Sequence, residues 1–446
     1  MDDPRTRKGR GAMNDHNTEV VDVLGIGFGP SNLALAIAVE ELNSGLDPDQ
    51  RITARFVEGK EEFGWHPGML LPRTTMQVSF LKDLATQRNV RSEYTFLNYL
   101  AEANRLTEFV NFQTFFPTRH EFHDYLEWAA RKVDADVSYG TRAVLIENSR
   151  DCFEIHVEGR HAGIIRARNI VVAAGLVARL PLGITASQRV FHNHQLLPHL
   201  AELPEPAANS FLVIGAGQSA AEVAEYLHTN YPGAEVHAVF AKYGYTPADD
   251  SPYANRIFDP NAVNDFHSSA PEFRRRLQNY HRSTNYSAVD LPLIEELYAR
   301  EYDERVRGQR RLFVHGASEV TQVVESDTDV TVTVRHEPTG LTEDIVCDAV
   351  VCATGFDPLD LKEILGDLTN SVAYDAAGPQ VARDYRLITT SPLPGGIFLQ
   401  GGTEHTHGIS SSLLSNIAVR TGEIVKSVAR DRKGEAVSTL SRGSLG

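Results

Sequence analysis

A mostly apolar run opens at residue 20, with Val20, Val21, Val23, Leu24 and Ile26 almost uninterrupted. Such a run suits a strand buried on both faces, as in a parallel sheet. It breaks into Gly25, Gly27 and Gly29, then resumes as small and apolar residues over 33–39, which predicts a helix. Pro30 falls in the first helical turn, where its missing N–H is no loss. A second apolar run, residues 52–57, ends on Glu58, 33 positions after Gly25, and the polar stretch 43–50 lengthens the connection. The same order returns at residues 211–240: apolar run, Gly215-Ala216-Gly217-Gln218-Ser219-Ala220, helix, apolar run.

Between these units, Phe122, Leu126 and Ala129 recur at helical spacing and predict a helix over 117–132. Strands are predicted at 143–147, 152–157 and 169–174. The Pro- and His-rich region 180–209 reads as a domain crossing. Downstream, helices are predicted at 271–280 and 292–306, and strands at 319–325, 330–336 and 345–351. A glycine-, histidine- and serine-rich turn then leads to a closing helix containing Leu413, Leu414, Ile417 and Ile424. The pattern predicts an α/β protein that starts and ends on one nucleotide domain with another inserted.

Composition narrows the function. The chain has 446 residues, 42% hydrophobic and 23% charged, enough for two or three domains with ordinary cores. A net charge of −16 with scattered basic residues argues against nucleic-acid binding. Asp22, Pro30 and Asn32 interrupt the longest apolar stretch, so no membrane span is expected. The polar N-terminus reads as a disordered leader, with Met13 an alternative start to Met1. Cys152, Cys347 and Cys352 have neither metal nor CxxC spacing, which fits a reducing cytoplasm. His192, His194 and His199 lack a carboxylate or cysteine at ligand spacing, and Asp249, Asp250, Asp259 and Asp265 lack EF-hand spacing, so no metal is expected.

The chemistry resides in the turns. Strand, glycine turn and helix hold a dinucleotide pyrophosphate, because backbone approaches phosphate closely and the helix N-terminus offers free N–H groups. Glu58 stands where a ribose hydroxyl is bound. The second unit ends without an acid, at Phe240, Ala241 and Lys242, which favours a 2′-phosphate and hence NADPH over NADH. Trp65, His66, Pro67 and Met69 are candidates to wall a planar cofactor. Lys82, directly after the apolar run 76–81, reads by itself as a snorkelling lysine.

Together, GIGFGPSN, FGWHPGM, MQVSFLKDL, YTFLNYL, GAGQSAAE, DDSPYANRIFDP, TNYSAVD, ATGF and THGISSSLLS, in this order from residue 25 to residue 415, resemble the microbial siderophore N-hydroxylases, most closely the L-ornithine N5-monooxygenases. The resemblance implies two Rossmann-like domains, for FAD and NADPH, with a small mostly helical substrate region. Its boundaries would be a leader at 1–18, the FAD domain at 19–185 and 346–437, and a tail at 438–446. The NADPH domain would take 186–255 and return strands at 311–345, and the substrate region 256–310.

By resemblance, Gly25, Gly27, Gly29, Pro30, Glu58, Trp65, His66, Gln77 and Leu413 serve FAD, and Gly215, Gly217, Gln218, Ser219 and Lys242 serve NADPH. Lys82, Asn255, Asn285 and Ser410 would bind the amino acid, with Asn285 and Gln77 positioning; this reverses the snorkelling reading of Lys82. The chain departs from the family pattern at Cys352, Phe356 and Leu361. It also carries Ala241 where a phosphate-binding arginine stands, leaving Lys242 as the substitute.

The implied reaction is N-hydroxylation of the side-chain amine of L-ornithine by O₂ through a C4a-hydroperoxyflavin, supplying hydroxamate precursors for siderophores. L-Lysine is the alternative substrate. A cytoplasmic homo-oligomer, dimer or tetramer, is implied. Two other classes also have paired glycine turns. A pyridine nucleotide–disulfide reductase would need a redox cysteine pair, and a nucleotide sensor would oxidise NADPH without making hydroxylamine.

Overall fold

The computed structural model describes residues 19–203 and 209–432. The expected leader at 1–18, the tail at 438–446 and the choice between Met1 and Met13 lie outside the described residues. The first apolar run is a strand, β1 (Val20–Ile26), at the middle of a seven-stranded sheet. It runs parallel to β2 (Ala54–Glu58) on one side and to Gly163–Val172 on the other. Phe153–Gly159 and Thr141–Asn148 extend the sheet antiparallel, and Ile397–Leu399 returns beside Gly163–Val172. Alternation places Val23 on one face and Leu24 with Ile26 on the other. The Val23 face is covered by α1 (Pro30–Asn43) and the closing helix Ile417–Arg432, with Leu35, Val39, Ile424 and Val428 between them. Helix α2 (Arg119–Lys132), N-capped by Thr118, buries Phe122, Leu126 and Ala129 as their spacing predicts.

The second unit is a five-stranded parallel sheet around β3 (Ser210–Ile214), α3 (Gln218–Asn230) and β4 (Glu235–Val239). Leu176–Ala178 carries the chain out of the first sheet and Phe356–Pro358 carries it back; the two pair antiparallel, a double crossing between the folds.

Several boundaries differ from expectation. The predicted strand 345–351 splits at Asp348: Thr342–Cys347 stays in a three-stranded antiparallel sheet, whereas Ala349–Cys352 enters the second parallel sheet. Asp348 makes the break by accepting from the N–H groups of Asn209 and Ser210 at 2.7 and 3.0 Å. Residues 349–352 therefore pair in the second parallel sheet. Of the expected return strands at 311–345, only Leu312–His315 joins the parallel sheet.

Helix α4 (Leu291–Arg307), assigned by sequence to the substrate region, packs on α3 instead. Leu297 is buried in the nucleotide core, and Arg300–Glu225 (2.8 Å) and His228–Glu304 (2.7 Å) tie the helices. The region 180–209 is more than a crossing, since Val190–His192 is a buried edge strand of the second sheet. The closing helix starts at Ile417, so Leu413 and Leu414 lie in the turns before it.

Candidate active site

The first glycine turn separates two uses of glycine. A Cβ on Gly25 would stand 2.3 Å from the Phe56 ring, and one on Gly27 (φ +83°) 2.5 Å from the Ala173 carbonyl oxygen. At both positions a side chain would collide with the fold itself, so glycine is required there by packing. Gly29 differs: nothing lies within 4 Å of its Cβ position. It is the N-cap of α1, with no side-chain capping bond, and Pro30 follows in the first turn. Free N–H groups beside open space make an anion seat. Glu58 ends β2 at this seat, its carboxylate accepting from the Phe28 N–H at 2.7 Å. Asn32 buttresses the turn from below, donating to the Gly27 carbonyl at 2.7 Å.

The second turn repeats the division. A Cβ on Gly215 would meet the Ala353 carbonyl oxygen at 2.3 Å, whereas Gly217, the N-cap of α3, has only Ser287 near it, at 3.7 Å, and no side-chain cap. Ser219 follows in the first turn. Gln218, expected to serve the nucleotide, turns its side chain inward. Its Nε2 donates to Glu222 and Asp290 at 2.9 and 3.2 Å, and its Oε1 accepts from the Asp290 N–H at 2.8 Å. What remains for a ligand at Gln218 is its backbone. Lys242, just beyond β4, spends two of its three donors on Thr246 (2.7 Å) and the Ser287 carbonyl (2.6 Å). Burial and then the nearby Arg282 cation lower its pKa. Arg282 is thus a second cation at this corner, invisible to sequence because it arrives from another segment.

Trp65 packs on Phe122, and His66 sits at φ +49° against His194 and Phe356. The linker histidine His194 therefore packs with His66 and Phe356. Gln77 is exposed and donates to Asp290 at 3.3 Å.

Of the expected amino-acid residues, Lys82, Asn255 and Ser410 lie on three segments that pack together. Lys82 is half-buried, its ammonium 5.5 Å above the Phe258 ring; burial lowers its pKa, against a raising pull from Asp259. Among the described residues, no carboxylate lies within ion-pair distance of it (4.0 Å). The next residue, Asp83, fixes the loop by accepting from the N–H groups of Ala85, Thr86 and Phe96. Asn255 shares the short helix Ala254–Phe258 with Phe258 and donates to the Asp250 carbonyl at 2.8 Å. That helix packs on the turn Ile409–Ser412, whose Ser410 is buried and accepts from Asn416 at 2.9 Å. Leu413 follows this turn, half-buried. Asn285 lies on a separate segment, next to Tyr286, whose hydroxyl donates to Glu404.

Tyr286, Glu404 and Arg420 escape sequence reasoning. Arg420 is fully buried, and burial lowers its pKa; it links Ser31 of α1 to Gln400 and Ser411. No periodicity or spacing marks such residues.

Residues 19–358 match the family model described as L-lysine 6-monooxygenase/L-ornithine 5-monooxygenase. The chain belongs to that family. The L-ornithine N(5)-oxygenase of Arthrobotrys oligospora is 37% identical over 438 residues, 93% of this chain and 89% of its own. The ornithine N-hydroxylase of Kutzneria sp. 744, a structure with reduced FAD, NADP⁺ and L-ornithine, is 45% identical. It covers 93% of this chain and 100% of its own, with a TM-score of 0.88. The ornithine hydroxylase of Pseudomonas aeruginosa is 33% identical, covering 92% and 99%, with a TM-score of 0.86. No helix among the described residues of this monooxygenase is long and apolar enough to cross a membrane.

Buried histidines give the enzyme an acid limit. Burial holds His192 at a pKa of about 4, His237 at about 4 and His407 at about 3. An unfolded histidine titrates near ~6.5. Between these values the unfolded chain binds more protons, so stability rises with pH. The contribution is complete above ~6.5 and is lost as pH falls toward ~4. The melting temperature of the holoenzyme should therefore be flat above that range and fall steadily below it. A constant melting temperature down to pH ~4.5 would contradict the assignment of these rings as neutral.

Proposed function

We infer that this monooxygenase binds FAD and NADPH and hydroxylates the side-chain amine of L-ornithine at N5. The observation that carries the substrate reading is Lys82, a half-buried cation with no ion-paired carboxylate among the described residues, its ammonium over Phe258 on the short helix that also carries Asn255 and packs on the Ser410 turn. Such a charge is costly to desolvate alone and is relieved by an incoming carboxylate. Lys82 holds the α-carboxylate, and the amides of Asn255 and Asn285 hold the α-ammonium. Ser410 and Leu413 border the far end, where the side-chain amine lies.

The two turns fit the two nucleotides. The open, uncapped Gly29 end of α1 with Glu58 suits the FAD pyrophosphate and ribose, and the Gly217 end of α3 with Ser219 suits NADPH. Bound FAD supplies dioxygen activation, with NADPH as the electron source. The protein's own task is placement and exclusion of water. The substrate amine, ordinarily protonated below ~10.4, must be neutral to react. A desolvated pocket favours that form. Free, buried Cys152, Cys347 and Cys352 suit a reducing cytoplasm.

The test is a purified protein that is yellow, is reduced by NADPH without air, and consumes NADPH in air with formation of hydroxylamine from ornithine. NADPH oxidation without hydroxylamine, at any ornithine concentration, would contradict the inference.

Lys242 offers a finer test. Lys242→Ala should weaken NADPH by ~1.5–3 kcal/mol, tenfold or more, and leave NADH nearly unchanged. Equal loss with both nucleotides would assign Lys242 to holding the Ser287 loop instead of phosphate.

A further inference from the structure

Asp290 is the N-cap of α4, yet its side chain makes no capping bond to its own helix. Aspartate is among the preferred N-caps, so the carboxylate has been diverted from a favourable local use. It reaches instead to two side chains on different folds. Its Oδ1 accepts from Gln77 at 3.3 Å, and its Oδ2 accepts from Gln218 at 3.2 Å, while its N–H donates back to Gln218 at 2.8 Å. Gln77 belongs to the loop that follows Trp65 and His66 on the first fold, and Gln218 opens α3 on the second. The set is anchored at its far end: Gln218 also donates to Glu222, which is 3% exposed and clasped by Arg119 of α2 at 2.7 and 2.8 Å. One connected network thus runs from the first fold through Gln77, Asp290, Gln218 and Glu222 back to Arg119.

We propose that Asp290 is a positioning residue for flavin reduction, locking Gln77 and Gln218 into one hydrogen-bonded set so that the two nucleotides meet in a fixed relation. This rests on the FAD and NADPH assignments of the two turns. The carboxylate accepts only, so it binds the amide N–H of Gln77 and leaves the amide oxygen of Gln77 as an acceptor for another group. Its two hydrogen bonds with Gln218 fix the first residue of the helix whose N-terminus seats the second nucleotide. Misplacement of a reacting pair by about an ångström costs orders of magnitude in rate without loss of binding.

The experiment is stopped-flow reduction of the holoenzyme by NADPH without oxygen, which needs no ornithine. Asp290→Ala should keep its FAD and bind NADPH within about threefold of wild type, yet show a limiting reduction rate ~tenfold or more lower. Gln77→Ala should also be slow, and the double variant no slower than the slower single, because both act through one contact. A wild-type rate in Asp290→Ala, or effects that multiply in the double variant, would overturn the proposal. Should Asp290→Ala fail to retain flavin, Asp290→Asn carries the same test, since its amide can serve only one of the two glutamines as an acceptor. A wild-type protein that lacks flavin or is not reduced by NADPH would overturn the cofactor assignments and the proposal together. Normal reduction of wild type beside slow reduction of the variant places the defect at Asp290 and leaves the cofactor assignments standing.

Discussion

Gly29→Val is expected to purify as a folded protein without flavin. Gly29 has φ −80° and ψ −169°, extended values that valine adopts freely, and no atom lies within 4 Å of its Cβ position. The substitution therefore costs the fold little beyond a poorer N-cap, on the order of 1 kcal/mol. The branched side chain instead fills the space above the first turn of α1, where the pyrophosphate would sit. FAD occupancy should fall by ~tenfold or more, the equivalent of about 1.4 kcal/mol or greater. Gly217→Val should do the converse: flavin retained, reduction by NADPH lost. Gly27→Val differs from both, because its Cβ meets the Ala173 carbonyl and it should misfold. Flavin content by absorbance and melting temperature by calorimetry separate the three. Full flavin in Gly29→Val would move the FAD seat elsewhere.

Lys82→Ala should leave flavin content and the rate of reduction by NADPH nearly unchanged while destroying ornithine affinity. A charged hydrogen bond in a desolvated site is worth ~2–4 kcal/mol, so half-saturation for ornithine should rise tenfold or more. NADPH oxidation should also uncouple toward hydrogen peroxide, because a loosely held amine no longer intercepts the activated oxygen. Lys82→Met, which keeps the apolar stem over Phe258, separates charge from packing. If the methionine variant retains wild-type ornithine dependence, the lysine only snorkels and the carboxylate is bound elsewhere.

Both βαβ units are legible in the sequence because their signals are local. Apolar runs, glycines and a proline at the first helical turn act over a few residues, and β1 falls at the predicted positions 20–26. The insertion at 43–50 holds a short turn, Pro48–Gln50, as its composition suggests. What stays hidden depends on distant partners. The inward turn of Gln218 requires Asp290, 72 residues away, and the split at Asp348 requires the N–H groups of residues 209 and 210. The placement of α4 departs from expectation because its amphipathic pattern declares a buried face without saying what covers it. The amino-acid residues are unreadable by pattern alone. Lys82 resembles any lysine at the edge of a core, and only folding brings it over Phe258, on the helix that carries Asn255; the motif resemblance anticipates the set without the geometry.

The most direct test of an ornithine N5-hydroxylase is a competition. Equal concentrations of L-ornithine and L-lysine are offered to the holoenzyme with NADPH in air, and the hydroxylated products are resolved by mass. One methylene in a pocket is worth ~1–3 kcal/mol, so N5-hydroxyornithine should exceed N6-hydroxylysine by at least tenfold. Its yield should also match the NADPH consumed. An excess of hydroxylysine, or peroxide with neither hydroxylated amino acid, would contradict the assignment.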